Sequence, residues 1–241
     1  MKKFTAAILL LFITYLGWEY FNLPSGAEYR TANPTDWSMR EIRRLEGKGG
    51  EQYWIDLNDI SHEVLRAVLV AEDYRFFRHA GVDWRAVKMA LTNAWHEGKI
   101  NFGASTITQQ LAKNLYLSES KNPMRKLKEI IIAGRLEREL GKRRILELYV
   151  NLIEFGEGTF GVEAAARKFF KKGAGELSTR EAATLAAVIP NPHSTYNLLQ
   201  NRAEVDKRAE TLQKRMLYLR PERFLFERRE VLTPPQIAPA R

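Results

Sequence analysis

The chain has 241 residues, 45% of them hydrophobic and 28% charged, with a formal net charge of +9. That allows one large domain or two small ones with a real core, and it excludes a disordered polyelectrolyte. The absence of cysteine excludes disulfides, thiolate metal sites and cysteine nucleophiles, while the excess of lysine and arginine asks for an anionic partner: nucleic acid, an acidic membrane surface or a phosphorylated substrate.

At the N-terminus, Lys2 and Lys3 precede fifteen uncharged residues, Phe4 to Trp18. Glu19 interrupts the run, and Trp18, Tyr20 and Phe21 look like an interfacial aromatic belt. The run is short for a spanning helix and long enough for a signal-peptide core, but no convincing small-x-small cleavage site follows, so residues 1–21 read as an uncleaved signal anchor forming a single transmembrane helix, the alternative being a cleaved signal peptide. The two lysines then face the cytoplasm and the rest of the chain lies outside it. Nucleic acid drops out as a partner on that side, and acidic lipids or lipid-linked phosphates become the natural anions. Residues 22–48, with Pro24, Gly26 and Pro34, read as a stalk.

Residues 49–220 carry the domain, and residues 221–241 read as a peripheral tail. Gln52 to Leu57 alternates polar and apolar residues and is the one good strand candidate. From Ser61 onward the periodicity is helical, so the fold class is mainly α. Ser61 caps a helix with Val64, Leu65, Val68 and Leu69 on one face. This helix runs into Ala71–Gly81, where Glu72, Asp73, Arg75, Arg78 and His79 crowd in with Tyr74, Phe76 and Phe77. Such a stretch is either a half-buried cleft wall or a helix end with a salt-bridge cluster. Asp83 caps a second helix with Val87, Ala90, Leu91 and Ala94 on one face. Trp95 to Phe102 then reads as a loop dipping into a membrane surface or as a partly buried core loop.

Thr106 and Gln109 fit a capping box that opens a third helix. With Ser105 and Gln110 they suit hydrogen bonding to a sugar or phosphate, the alternative being a polar helix start on the surface. A long helix from Arg125 to about Leu140 has Leu127, Ile130, Ile131 and Gly134 on or near one face. Glu129 sits beside them with Arg125 four residues back, as a surface pair or as a cleft carboxylate held by a cation. Another amphipathic helix begins at Lys142 and ends in the glycine-bearing turn Phe155–Gly161, whose spacing is not that of a P-loop. Ser178 and Glu181 form a second capping box, on a helix that stops at Pro190. Ala203 to Leu219 is a charged amphipathic helix. Ser118 to Lys121 matches an SxxK nucleophile motif, but its companion motifs are absent and the match is taken as chance. The four histidines (His62, His79, His96, His193) make no ligand pair of the HExxH kind.

Five blocks, in order, resemble the glycosyltransferase domain that polymerises peptidoglycan glycan strands. The first is Glu72, Asp73, Phe76, His79 and Gly81, in the pattern EDxxFxxHxG. The second is Gly103, Ser105 to Gln110, Lys113 and Asn114, in the pattern GxSTITQQxxKN. The third is Arg125, Lys126, Glu129, Ala133, Leu136 and Glu137. The fourth is Lys142, Ile145, Leu146, Glu147, Tyr149, Asn151, Gly156 and Gly161. The fifth is Glu181, Ala182, Leu185, Ala186, Pro190 and Tyr196. The resemblance spans Trp54 to Met216 and is to the monofunctional biosynthetic peptidoglycan glycosyltransferases (transglycosylases), whose domain also occurs in bifunctional penicillin-binding proteins. Two departures stand out. Tyr196 is followed by Asn197-Leu198 where the family often has a Tyr-x-Pro ending, and Lys121 stands where the family often has an arginine.

The resemblance implies a lysozyme-like helical fold and a defined reaction. The GlcNAc 4-hydroxyl of lipid II attacks C1 of a MurNAc on a glycan chain linked to undecaprenyl pyrophosphate, with inversion. It makes Glu72 the general base and Glu129 the second essential carboxylate. It places Ser105, Thr106, Gln109 and Gln110 on sugar or phosphate, and Lys113, Lys121, Arg125 and Lys126 on the leaving pyrophosphate. Asp73, Phe76, His79 and Asn114 complete the substrate site, with His79 as a structural hydrogen-bond partner and Asp73 and Asn114 as supports. No metal cage is visible, although Mg2+ or Mn2+ would fit between a pyrophosphate and two carboxylates. The partners implied are lipid II, the lipid-linked glycan chain, the bilayer and other cell-wall synthesis proteins. The implied location is the bacterial inner membrane, with the catalytic domain periplasmic. The competing readings are a lysozyme-like glycan-cleaving enzyme and a non-catalytic membrane-tethered module that holds anionic lipids.

Overall fold

The structure is a computed structural model that describes residues 20–34, 50–97, 105–117 and 122–226, together with Thr14, Gly17 and Trp18. Its centre is helix α1, His62–Glu72, started by the Ser61 hydroxyl accepting from the Glu63 amide. Val64, Leu65, Ala67, Val68, Leu69 and Val70 are all buried, so α1 lies in the core on nearly every side. Helix α2, Trp84–Glu97, follows. Asp83 caps it by accepting from the amides of Arg85 (3.0 Å) and Ala86 (3.2 Å). On its expected apolar face Val87 and Ala90 are half-buried and Leu91 is 64% exposed, and Met89 and Trp84 elsewhere on the helix are 64% and 66% exposed.

Helix α3, Ile107–Tyr116, opens on the Thr106/Gln109 capping box, with both reciprocal bonds formed. It packs along α4, Pro123–Leu152, which Asn122 caps. Gly141 breaks α4 with φ 70° and ψ 160°, so the two helices expected on either side of it are both present in one element. The buried face of the first half is Glu129, Ile132, Ala133 and Leu136. This corrects the expected Leu127, Ile130, Ile131 and Gly134 stripe, and Leu127 is 41% exposed. Contact with α3 sets the rotation of α4, and an apolar run that covers three neighbouring rows of a helix does not specify which one faces inward.

Helices α5 (Val162–Phe170), α6 (Thr179–Val188) and α7 (Arg202–Met216) complete the main body, and a short α8 (Arg223–Phe226) follows. The Ser178/Glu181 box caps α6, which packs against both α1 and α7. The expected strand Gln52–Leu57 is reduced to β1, Glu51–Gln52, paired in parallel with β2, Thr159–Phe160. Beyond Gln52 the backbone partner is a side chain. Asn151, fully buried, accepts from the Ile55 amide and donates to its carbonyl, both at 2.9 Å. Gly161, at φ 82°, lies so close beneath that an added Cβ would be 2.6 Å from the Asn151 carbonyl oxygen.

Two segments expected to be peripheral are packed. The described part of the stalk lies on α4 and α3. Tyr29 is buried, Arg144 donates to the carbonyls of Tyr29 and Ala32 at 2.8 Å, and Tyr116 donates to Glu28 at 2.6 Å. Arg135 donates to the carbonyls of Tyr20 and Leu23. The expected tail begins as core, with Glu222 buried and paired to Arg66 at 2.7 Å and Leu225 buried near it. Among the described residues no helix is long and apolar enough to cross a membrane. The expected anchor, apart from the few residues named above, lies outside the described residues, as do 35–49, 98–104, 118–121 and 227–241.

Replacing Tyr29 by Ala removes a buried ring packed 6.0 Å from Tyr116 and should destabilise the domain by about 3 kcal/mol. Chemical denaturation of the full chain measures this. A loss indistinguishable from zero would mean that residues 20–34 do not belong to the folded unit.

Candidate active site

Helix α1 leaves the core at Glu72, whose side chain retains 10% exposure. A cavity of about 260 Å³ opens there, with Glu72, Asp73, Tyr74, Arg75, Ser105 and Arg215 among its lining residues. Glu72 Oε2 accepts from Gln110 Nε2 at 2.8 Å. Gln110 Oε1 accepts in turn from the Tyr149 hydroxyl at 3.0 Å. Tyr149 is wholly buried, and burial together with the nearby Glu72 and Asp73 pushes its phenol well above the ordinary value. It therefore stays protonated and donates, which fixes the Gln110 amide with its NH2 towards Glu72.

Arg208 Nη2, on α7, lies 4.0 Å from Glu72 Oε1, with its guanidinium over the Tyr196 ring at 5.2 Å. Burial raises the Glu72 pKa above the ordinary 4.5; the Gln110 bond and the Arg208 charge pull it down, Asp73 adds to the rise, and the net shift is upward. A carboxylate so placed takes up a proton more readily than an exposed one, which is what a general base needs.

The second carboxylate has a different setting. Glu129 is 3% exposed; its Oε2 accepts from Arg125 at 3.0 Å, and its Oε1 accepts from Lys126. Lys126 also donates to the Ser105 hydroxyl at 3.0 Å. A chain of Ser105, Lys126, Glu129 and Arg125 thus leads from the cavity to the second carboxylate. Both oxygens of Glu129 already meet cations, so its charge is compensated and it orients those cations. Among the described residues no cluster of three or more histidines and carboxylates is placed to hold a metal ion.

The other expected site residues divide. Ser105 and Gln110 face or adjoin the cavity. Thr106 and Gln109 are buried at 3% and 2% exposure and spend their polar groups on the cap, with Thr106 also donating to the Gly81 carbonyl. Asp73 accepts from the Ile107 amide at 3.2 Å and faces His79 Nε2 at 3.0 Å. Phe76 is fully buried, with Lys142 Nζ 4.1 Å from its ring centre. Thr106, Gln109 and Phe76 thus have parts in the frame of the site, and Thr106 also lines the cavity. Lys113 is exposed and Asn114 half-buried, farther along α3. Lys121 lies outside the described residues. Sequence reading missed Arg208 and Arg215. Their seven-residue spacing puts both on one face of α7, and that was the available signal.

A buried carboxylate in a small cavity with cations on two sides suits acid–base chemistry on an anionic substrate. The transglycosylase family model matches residues 38–217, and the chain belongs to that family. A biosynthetic peptidoglycan transglycosylase of Chromobacterium violaceum is 40% identical over 223 residues, covering 90% of this chain and 96% of the relative. One from Methylobacillus flagellatus is 46% identical over 165 residues, covering 68% and 72%. One from Shewanella amazonensis is 46% identical over 191 residues, covering 78% and 77%.

If Glu72 must be ionised to act, kcat/KM should fall on acidification through a pKa above the ordinary 4.5. Arg208→Met removes a charge that favours the ionised form, so the acid limb should move to higher pH. A limb that stays at the parent position in this variant would show that Arg208 does not act on Glu72.

Proposed function

We propose that this transglycosylase polymerises lipid II into peptidoglycan glycan strands, with Glu72 as the general base. The observation that carries the reading is the Glu72 setting: a carboxylate buried at the wall of a cavity, held by a neutral amide, in a chain of this family. The acceptor GlcNAc 4-hydroxyl gives its proton to Glu72 as its oxygen bonds to C1 of the donor MurNAc. The C1–O bond to pyrophosphate breaks, and its electron pair leaves with undecaprenyl pyrophosphate. The α linkage thereby becomes β-1,4.

Each part of the site has a share in this step. Ser105 and Gln110 offer polar contacts to the sugars at the cavity wall. Arg125 and Lys126, aligned by Glu129, take up the charge that grows on the leaving group, and the family resemblance adds Lys113 and Lys121 as further cations for it. Tyr149 holds the Gln110 amide in the orientation that leaves Glu72 as an acceptor. His79 and Asp73 support the loop behind it. In this reading residues 1–21 anchor the chain in the inner membrane and the domain works on the periplasmic face, where lipid-linked substrates keep their tails in the bilayer. The unpacked apolar residues Trp84, Met89 and Leu91 on α2 are consistent with a membrane-proximal cleft.

Replacing Glu72 by Gln keeps the shape and removes the base. Lipid II polymerisation should drop by about a hundredfold or more, while the thermal midpoint stays near that of the parent. Polymer yield equal to the parent's would overturn the base assignment. Incubation with preformed polymeric glycan gives the complementary test: fragment release there without consumption of lipid II would favour a glycan-cleaving enzyme.

A further inference from the structure

Gly81 is a junction between three parts of the molecule. Its φ is +86°, and a Cβ there would lie 3.1 to 3.2 Å from the α4 backbone at Ala133 and Gly134. Its carbonyl accepts from Thr106 at the head of α3. Its amide donates to Glu137 Oε1 at 3.1 Å. The same oxygen accepts from the Thr108 hydroxyl at 2.6 Å and from Lys142 Nζ at 2.7 Å. One carboxylate oxygen of the half-buried Glu137 therefore ties the loop after Glu72, the first turn of α3 and the two halves of α4 to one another.

The Lys142 contact depends on Gly141. In an unbroken helix a residue five positions on lies roughly 140° around the axis and faces away. The left-handed break at Gly141 turns Lys142 back onto Glu137 and sets its ammonium over the Phe76 ring. Burial holds the Lys142 pKa below its ordinary value, and the Glu137 bond and the nearby Asp73 oppose that fall. Asp73 lines the cavity, but Glu137, Lys142 and the Phe76 ring do not. What they fix is the start of α3, and α3 carries Ser105 at its entry and Gln110 one turn further on.

We propose that Glu137 and Lys142 are positioning residues for glycosyl transfer, locking the first turn of α3 and the Gly81 loop against α4 so that Gln110 meets Glu72. The proposal rests on Glu72 being the base. The groups that face Glu72 are Gln110 from α3, Arg208 from α7 and Asp73 from its own loop, with Tyr149 of α4 acting through Gln110. Loosening α3 weakens the Gln110 contact, which favours the ionised form of Glu72, and leaves the other groups in place.

The test uses the full-length protein with lipid II, each variant assayed well below its own melting midpoint. Glu137→Asp keeps the charge and shortens the reach, Lys142→Met removes the paired charge, and Lys142→Arg restores it. Glu137→Asp and Lys142→Met should each lose about tenfold to a hundredfold in kcat, with KM little changed and the acid limb of the pH profile moved to higher pH. Lys142→Arg should recover most of the kcat lost in Lys142→Met. Thr108→Val removes one donor without a buried charge and should move the same readouts less far, which covers the case of Glu137→Asp failing to fold. Parent kcat and parent acid limb in these variants, even with lowered melting midpoints, would reduce the network to a stability role and overturn the proposal. Glu72→Gln is run alongside: if it retains turnover, the base assignment fails and the proposal with it; if it is inactive, the Glu137 and Lys142 results stand on their own.

Discussion

The structure turns on how a carboxylate can be kept at the edge of an apolar core without being neutralised by a cation. An ion pair in contact would hold Glu72 ionised but would make it a poor base, and burial with no partner would keep it protonated. The chain takes a middle course. A neutral amide from Gln110 satisfies one oxygen, and Arg208 stands at 4.0 Å from the other. Most of the remaining architecture serves that arrangement. Helix α1 delivers the carboxylate, α3 delivers the amide, and the Tyr149 hydroxyl selects which end of the amide points inward.

Glu129 shows the opposite solution in the same protein. It has two cations in contact and little exposure. Two carboxylates in such unlike settings are suited to unlike tasks, one to moving a proton and the other to holding cations in line. The Ser105 hydroxyl, which lines the same cavity as Glu72, accepts from Lys126, so Glu129 and its cations stand behind one part of the cavity wall and Glu72 at another.

Local signals in the sequence carried far. The Thr106/Gln109 and Ser178/Glu181 boxes, the Asp83 cap and the break at Gly141 each depend on residues within a few positions of one another, and each was legible without a structure. The failures were of another kind. The pairing of Glu51–Gln52 with Thr159–Phe160 joins distant parts of the chain through main-chain atoms, which no side-chain pattern announces. The same holds for the seating of residues 20–34, which hang from α4 by carbonyl oxygens. Thr106, Gln109 and Phe76 were legible as members of the site motifs, but their parts in the frame were not, because motif spacing does not show which buried partners a side chain meets. Arg208 escaped because a helix rich in charge looks like a solvated face until its neighbours are known.

The net charge of +9 also takes on a narrower meaning. Much of the basic surplus is spent inside the fold: Arg135 and Arg144 on main-chain carbonyls, Arg66 on Glu222, Arg75 on Asp83 and Lys142 on Glu137. The carbonyl acceptors of Arg135 are neutral, so that guanidinium uses its directional donors as struts without a carboxylate, whereas Arg144 pairs with Glu147 as well. A basic total can therefore arise from structural arginines as readily as from an anionic partner. What argues for an anion here is location: Arg125 and Lys126 aligned by one carboxylate, and Arg208 and Arg215 on the helix face that closes the cavity beside the other. Charge count raised the question of an anionic substrate, and the placement of those few side chains around the two carboxylates is what bears on it.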